Sequence, residues 1–133
     1  MPIQETMSID LVYQSIFNAL SLSDSTLQIW MTYTFAIIAA AHLAGNRING
    51  ATYKLVSGLY GLYAGVLVVK YFGAAHQILH YQEVMVLRGF EPWPVPKSIG
   101  IIIGGGTSLL MVGGTIATLW FVNKTRRENN VSA

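Results

Sequence analysis

His76, His80 and Glu83 come nearest to a chemical site in this sequence. They recur at four- and three-residue steps, so on a helix they share one face. Two histidines at i and i+4 are a metal-ligand geometry, although a tetrahedral zinc site needs a further ligand or a water. The competing reading is a polar stripe, solvated or facing the membrane interface, on a helix lying at the membrane surface. His42 falls near the end of a different apolar run. It reads as a helix-end histidine bonded to a neighbour, because a haem shared with His76 or His80 would have to join opposite sides of a membrane. A metal- or haem-binding redox subunit therefore rests on His76 and His80 alone.

The missing motifs narrow the field further. There is no phosphate loop, no Gly-x-Ser-x-Gly elbow and no His-Glu-x-x-His pair. Cysteine is absent, which excludes disulfides, thiolate-bound zinc and iron–sulfur clusters. Within the apolar runs described next there is no Asp, Glu or Arg, and Lys70 lies near the end of the second, where its stem can snorkel to the headgroups. Ion- or proton-coupled transport needs an intramembrane ionisable residue with a partner. The expectation is a protein that is not an enzyme and that requires no cofactor.

The elements that would position these residues follow from the hydropathy pattern. Of 133 residues, 53% are hydrophobic and 11% charged, against roughly 25% charged in soluble proteins. The formal charge of +2 comes from scattered basic residues rather than a stripe, so nucleic acid is not an expected partner. Three uncharged or nearly uncharged runs, 27–44, 53–75 and 98–122, suit helices crossing a hydrocarbon core of ~30 Å. Ahead of them, 6–22 has helical periodicity, with Ile9, Val12, Tyr13, Ile16, Phe17 and Leu20 on one side. It is too short to span and predicts an amphipathic interfacial helix packed on its own protein. Residues 21–26 form a polar break, and Ser25 with Gln28 resembles a capping box. A turn at 45–50 follows the first span, and Arg47 is its charge.

After the second span no breaker intervenes until Gly89, so the helix is expected to run on as an extension, 76–88. A bend near Gly73 is the alternative. Residues 89–97 contain three prolines in alternation, which predicts an extended strap, and 123–133 is a basic polar tail. The fold class expected is an all-α membrane protein in a single membrane domain, 1–133. It has three transmembrane helices plus an N-terminal amphipathic interfacial helix, with the second transmembrane helix extended beyond the bilayer.

The third span carries the contact surfaces. At ~100° per residue, Gly100, Gly104, Thr107, Ser108, Gly114, Thr115 and Thr118 share a sector, with Met111 intruding. Gly106, Gly113 and Ala117 make a narrower second seam, and Ile101, Leu109, Val112, Ile116 and Leu119 face lipid or a partner. On the second span Ser57, Gly61 and Gly65 make a small-xxx-small ladder, flanked by Tyr60 and Tyr63. The broad stripe is assigned to packing within the chain, against a homo-oligomeric seam and a hydroxyl-lined pore as alternatives.

Arg47, Lys54, Lys124, Arg126 and Arg127 fall on one side of a three-span protein, and Arg88 and Lys97, with Lys70 nearer them, on the other. The positive-inside rule then puts the N-terminus outside and the C-terminus in the cytoplasm of a bacterial inner membrane. Tyr81, Phe90 and Trp93 are the aromatic anchors of an outer docking surface. The function expected is assembly by helix packing, either with the protein's own copies or as an accessory subunit of a membrane complex. An oligomeric channel or holin-like pore-former, lined by Thr107, Ser108, Thr115 and Thr118, is the second reading.

Overall fold

The computed structural model describes residues 8–44 and 47–132, with side chains through Glu128. Among the described residues are three helices and no strands: α1 (Ile9–Ala44), α2 (Gly50–Leu87) and α3 (Lys97–Ser132). Each is long and apolar enough to cross a membrane, so the chain is an all-helical integral membrane protein.

One repeat in the sequence explains how the three helices pack. The buried side chains of α1 run from Val12 through Ile16, Ala19, Ser23 and Thr26 to Trp30 at alternating four- and three-residue steps, and Thr34 and Ala41 follow. Tyr60, Ala64, Leu67, Tyr71 and Ala74 continue the same rhythm on α2. On α3 it runs through the buried Ser108, Met111, Thr118 and Val122, with Thr115 half-buried between them. A 3.5-residue spacing keeps one seam of each helix turned toward its neighbours over many turns, as in a coiled coil.

This repeat overturns the separate amphipathic helix at 6–22. α1 is a single helix of 36 residues, and its seam passes through 21–26 without losing phase. The polar residues there do not break the helix, because their hydroxyls bond to its own backbone. Ser23 Oγ donates to the Leu20 carbonyl at 2.8 Å and Thr26 Oγ1 to the Leu22 carbonyl at 2.7 Å. Ser25 is exposed within the helix, so the capping box with Gln28 does not form. The apolar side of the first turns packs on the chain itself: Val12 and Ile16 meet Val84 and Met85, flanked by Tyr13 and Tyr81. Thr6 and Met7, expected to begin this helix, lie outside the described residues, as do Gly45 and Asn46 of the turn and Ala133 of the tail.

α2 starts three residues earlier than the apolar run, at Gly50, because the Asn49 side chain accepts a hydrogen bond from the Thr52 backbone N–H at 2.7 Å. It then runs 38 residues without interruption. Its end is a Schellman motif, in which Gly89, at φ +83°, donates to the Val86 carbonyl and Phe90 to the Met85 carbonyl. The strap that follows includes a cis Trp93–Pro94 peptide. It is held on α2 by Gln82, whose Nε2 donates to the carbonyls of Trp93 and Val95 at 3.0 and 3.1 Å. Trp93 also meets Tyr13 edge-on, with ring centroids 5.7 Å apart, and Lys97 pairs with Glu83 at 3.1 Å.

The polar tail expected at 123–133 is helical through Ser132 and continues α3. Its first turns are fastened to α2. Arg126 stacks 4.4 Å from the Tyr53 ring centroid, and Tyr53 Oη donates to Asn123 Oδ1 at 3.3 Å.

In hydrocarbon, helices gain little from the hydrophobic effect, and close packing and interhelical hydrogen bonds hold them together. Both are present at the centre of the bundle. Trp30, Tyr60, Ala64, Leu67, Tyr71 and Met111 form one core, and Met111, which looked like an intrusion in the α3 stripe, is fully buried within it. Thr34 and Tyr60 share a hydrogen bond of 2.8 Å between α1 and α2, and Trp30 Nε1 donates to Thr115 Oγ1 at 2.9 Å between α1 and α3. Bonds of this kind contribute about 0.6 kcal/mol each in a membrane.

Candidate functional site

Toward the strap end, above that core, a cavity of about 430 Å³ opens between all three helices. Its walls are mostly apolar, and α3 contributes Gly100, Gly104, Gly105 and Ser108, all within the charge-free run. The small residues keep the space open and let neighbours approach: a Cβ on Gly104 would lie 3.7 Å from Ala75 Cβ, and one on Gly100 would lie 3.9 Å from Val95.

The polar groups in the wall are Asp24 and Ser23 from α1, and Tyr71, His76 and Gln82 from α2. Asp24 and His76 are thus level with the apolar first half of α3, and Lys70 adjoins Tyr71. Lys70 itself is exposed and does not line the cavity. Asp24 reaches the cavity because α1 is continuous, so that residue 24 belongs to a helix and not to a linker, and it is exposed at the cavity's edge. Gln82 is 2% exposed, and its Oε1, turned away from the strap toward Gly100, has no hydrogen-bond partner.

The histidine face does not gather into a metal centre. Glu83 is drawn to Lys97, His80 is edge-on to Tyr81 at 5.6 Å, and His76 faces the cavity. Among the described residues, no group of three or more His, Cys, Asp and Glu side chains lies where it could hold a metal ion. His42 is exposed in the last turn of α1.

The broad stripe of α3 faces the rest of its own chain. Ser108, Thr115 and Thr118 donate to the Gly104, Met111 and Gly114 carbonyls at 2.7–2.8 Å, while Thr107 is half-buried. Gly114 lies under the Trp30 indole, where a Cβ would come within 2.7 Å. Of the bulky set, Ile101, Leu109, Val112 and Ile116 are exposed, but Leu119 turns inward against Gly61, 3.6 Å from where a Cβ would stand. The ladder on α2 therefore divides. Ser57 is half-buried and Gly61 faces α3, whereas Gly65 is exposed with open space beside it. Four-residue steps drift about 40° per step around a helix, and the buried seam instead follows Tyr60, Ala64 and Leu67.

The second seam, Gly106, Gly113 and Ala117, is exposed, and nothing lies within 4 Å of a Cβ built on either glycine. Of the three outer aromatics, Tyr81 and Trp93 pack on the α1 end and Phe90 is 44% exposed. Sequence reasoning missed Asp24, Trp30 and Gln82 as site-forming residues. The unbroken phase from Ile16 through Thr34 was the signal available for Trp30, and for Asp24 only through the helix continuity it implies. Compared with protein-family models, curated proteins and solved structures, the chain matches none.

Proposed function

We infer that this protein acts by lateral helix packing within the bilayer, with copies of itself or as an accessory subunit of a membrane complex. The observation that carries the reading is the outward seam of α3. Gly106 and Gly113 carry no side chain, yet among the described residues nothing lies within 4 Å of a Cβ built on either. A glycine in a helix interior costs about 1 kcal/mol relative to alanine. In membranes that cost is offset when a second helix uses the gap for close backbone contact. Gly58, Gly65 and Gly73 of α2 are also open to the outside.

The pore reading has less support, since the hydroxyls of Ser108, Thr115 and Thr118 are turned inward and bonded to their own helix. For orientation the basic residues favour a cytoplasmic C-terminus in a bacterial inner membrane, with Arg126 and Lys124 stacked on Tyr53 and Trp120 at that end. Native mass in mild detergent tests the assembly. The expected result is a defined oligomer or a stoichiometric complex that Gly113→Leu disrupts while helix content is unchanged. A wild-type monomer with the same mass as Gly113→Leu would overturn it.

A further inference from the structure

We propose that the cavity between the three helices is a binding site for a lipophilic cation, an apolar molecule carrying a protonated amine or other N–H-bearing positive group, which enters from the bilayer. Three observations carry this. The first is size and depth: about 430 Å³, with walls formed from spanning helices, lies within the 300–1,000 Å³ of small-molecule sites.

The second is the balance of donors and acceptors. Both hydrogens of Gln82 Nε2 are committed to the strap and its Oε1 is buried out of reach, so Gln82, only 2% exposed, offers the cavity no donor. The hydroxyl hydrogens of Ser23 and Ser108 are likewise committed to backbone carbonyls, so their oxygens offer only lone pairs to the cavity. Tyr71 and His76 are the only side chains in the wall with an N–H or O–H left to offer.

The third is charge. Asp24 is the one carboxylate in the wall, and it makes no hydrogen bond or ion pair among the described residues. Asp24 is exposed at the edge of the cavity, and a lone carboxylate beside apolar walls favours a cation. The ligand's ammonium meets Asp24, and its apolar body fills the space beside Gly104 and Gly105.

The test uses the full chain in nanodiscs of zwitterionic lipid, with empty nanodiscs as blank. The probe is ethidium, a flat aromatic cation with two amino groups, followed by fluorescence anisotropy, with dodecylammonium and dodecanol as competitors. Saturable binding is expected, displaced by the amine at least about tenfold better than by the alcohol of the same length. Asp24→Asn should weaken ethidium binding by about tenfold and abolish that preference. Gly105→Leu should abolish binding by filling the cavity, and it should fold normally, because nothing lies within 4 Å of a Cβ there. Helix content by circular dichroism checks both variants. Uptake no greater than that of empty nanodiscs, equal competition by the alcohol, or wild-type binding in Asp24→Asn and Gly105→Leu would overturn the proposal.

Discussion

Replacing Gly114 with alanine is the sharpest probe of how α1 and α3 fit together. The added methyl would lie 2.7 Å from Trp30 Cη2 and 2.9 Å from Cζ2, closer than carbon atoms approach without displacement. Both atoms belong to a rigid fused ring, so the indole must move as a unit by up to about 1 Å to regain the 3.5–4.0 Å of ordinary contact. That movement is opposed by the Trp30 Nε1–Thr115 Oγ1 bond at 2.9 Å and by the surrounding core of Tyr60, Leu67 and Met111. Overpacking of this kind costs about 1–3 kcal/mol, and loss of the hydrogen bond adds about 0.6 kcal/mol in a membrane. Better helix propensity returns about 1 kcal/mol. The net expectation is a destabilisation of about 1–2 kcal/mol. The neighbouring Gly113→Ala has open space for its methyl and should gain up to about 1 kcal/mol within the protomer. Reversible unfolding in mixed micelles at increasing SDS fraction, read by circular dichroism, measures both. If Gly114→Ala proves as stable as Gly113→Ala, the contact between Trp30 and α3 is wrong.

Met111→Ala, at a fully buried position, should lose about 2 kcal/mol in the same unfolding assay, at the low end for such truncations because lipid offers the side chain an apolar alternative. Gly89→Ala places a side chain at φ +83° and should cost about 1–2 kcal/mol, visible as earlier proteolytic cleavage in the strap. Lys97→Ala should change stability by no more than about 1 kcal/mol, because the pair with Glu83 is over half exposed at both ends. A larger loss on unfolding would mean that this ion pair, rather than Gln82, fastens the strap.

Much of the helical architecture was legible in the sequence, and the error over α1 has a physical cause. Apolar length alone identified three spanning helices, since ~20 residues of low polarity have few other fates. The polar stretch 21–26 looked like a linker because Ser, Thr and Asp favour caps and turns in water. In a helix packed on other helices the same hydroxyls can bond to the preceding turn, as Ser23 and Thr26 do. Once α1 is continuous, Asp24 moves from a surface loop into the wall of the cavity. Which residues close on one another across helices was less accessible. The buried stripe of α3 could be read from periodicity, but that Trp30 would be the group lying over Gly114 depends on the offset between α1 and α3, which no local pattern encodes. Gln82 likewise looks like one more polar residue until the strap folds back onto it.

The glycine run of α3 can now be divided by what each position accommodates. Gly100 makes room for the strap, Gly104 for Ala75 and Gly114 for the Trp30 indole, so these three answer to contacts within the chain. Gly105 borders the cavity, where a side chain would occupy the space that a ligand needs. That leaves Gly106 and Gly113, with Ala117 one turn further, all exposed, and among the described residues nothing lies within 4 Å of a Cβ built on either glycine. At about 1 kcal/mol each relative to alanine, two such glycines are a large sacrifice for a domain of marginal stability. Lipid gives no return on it, because an acyl chain packs as well on alanine or leucine. A second helix does, because it can bring its backbone within the distance that a Cβ would forbid. The outward seam is therefore where a partner helix would gain most from the missing side chains, and the cavity is where a small ligand would. The two uses are separable, since Gly113→Leu blocks the first and Gly105→Leu the second.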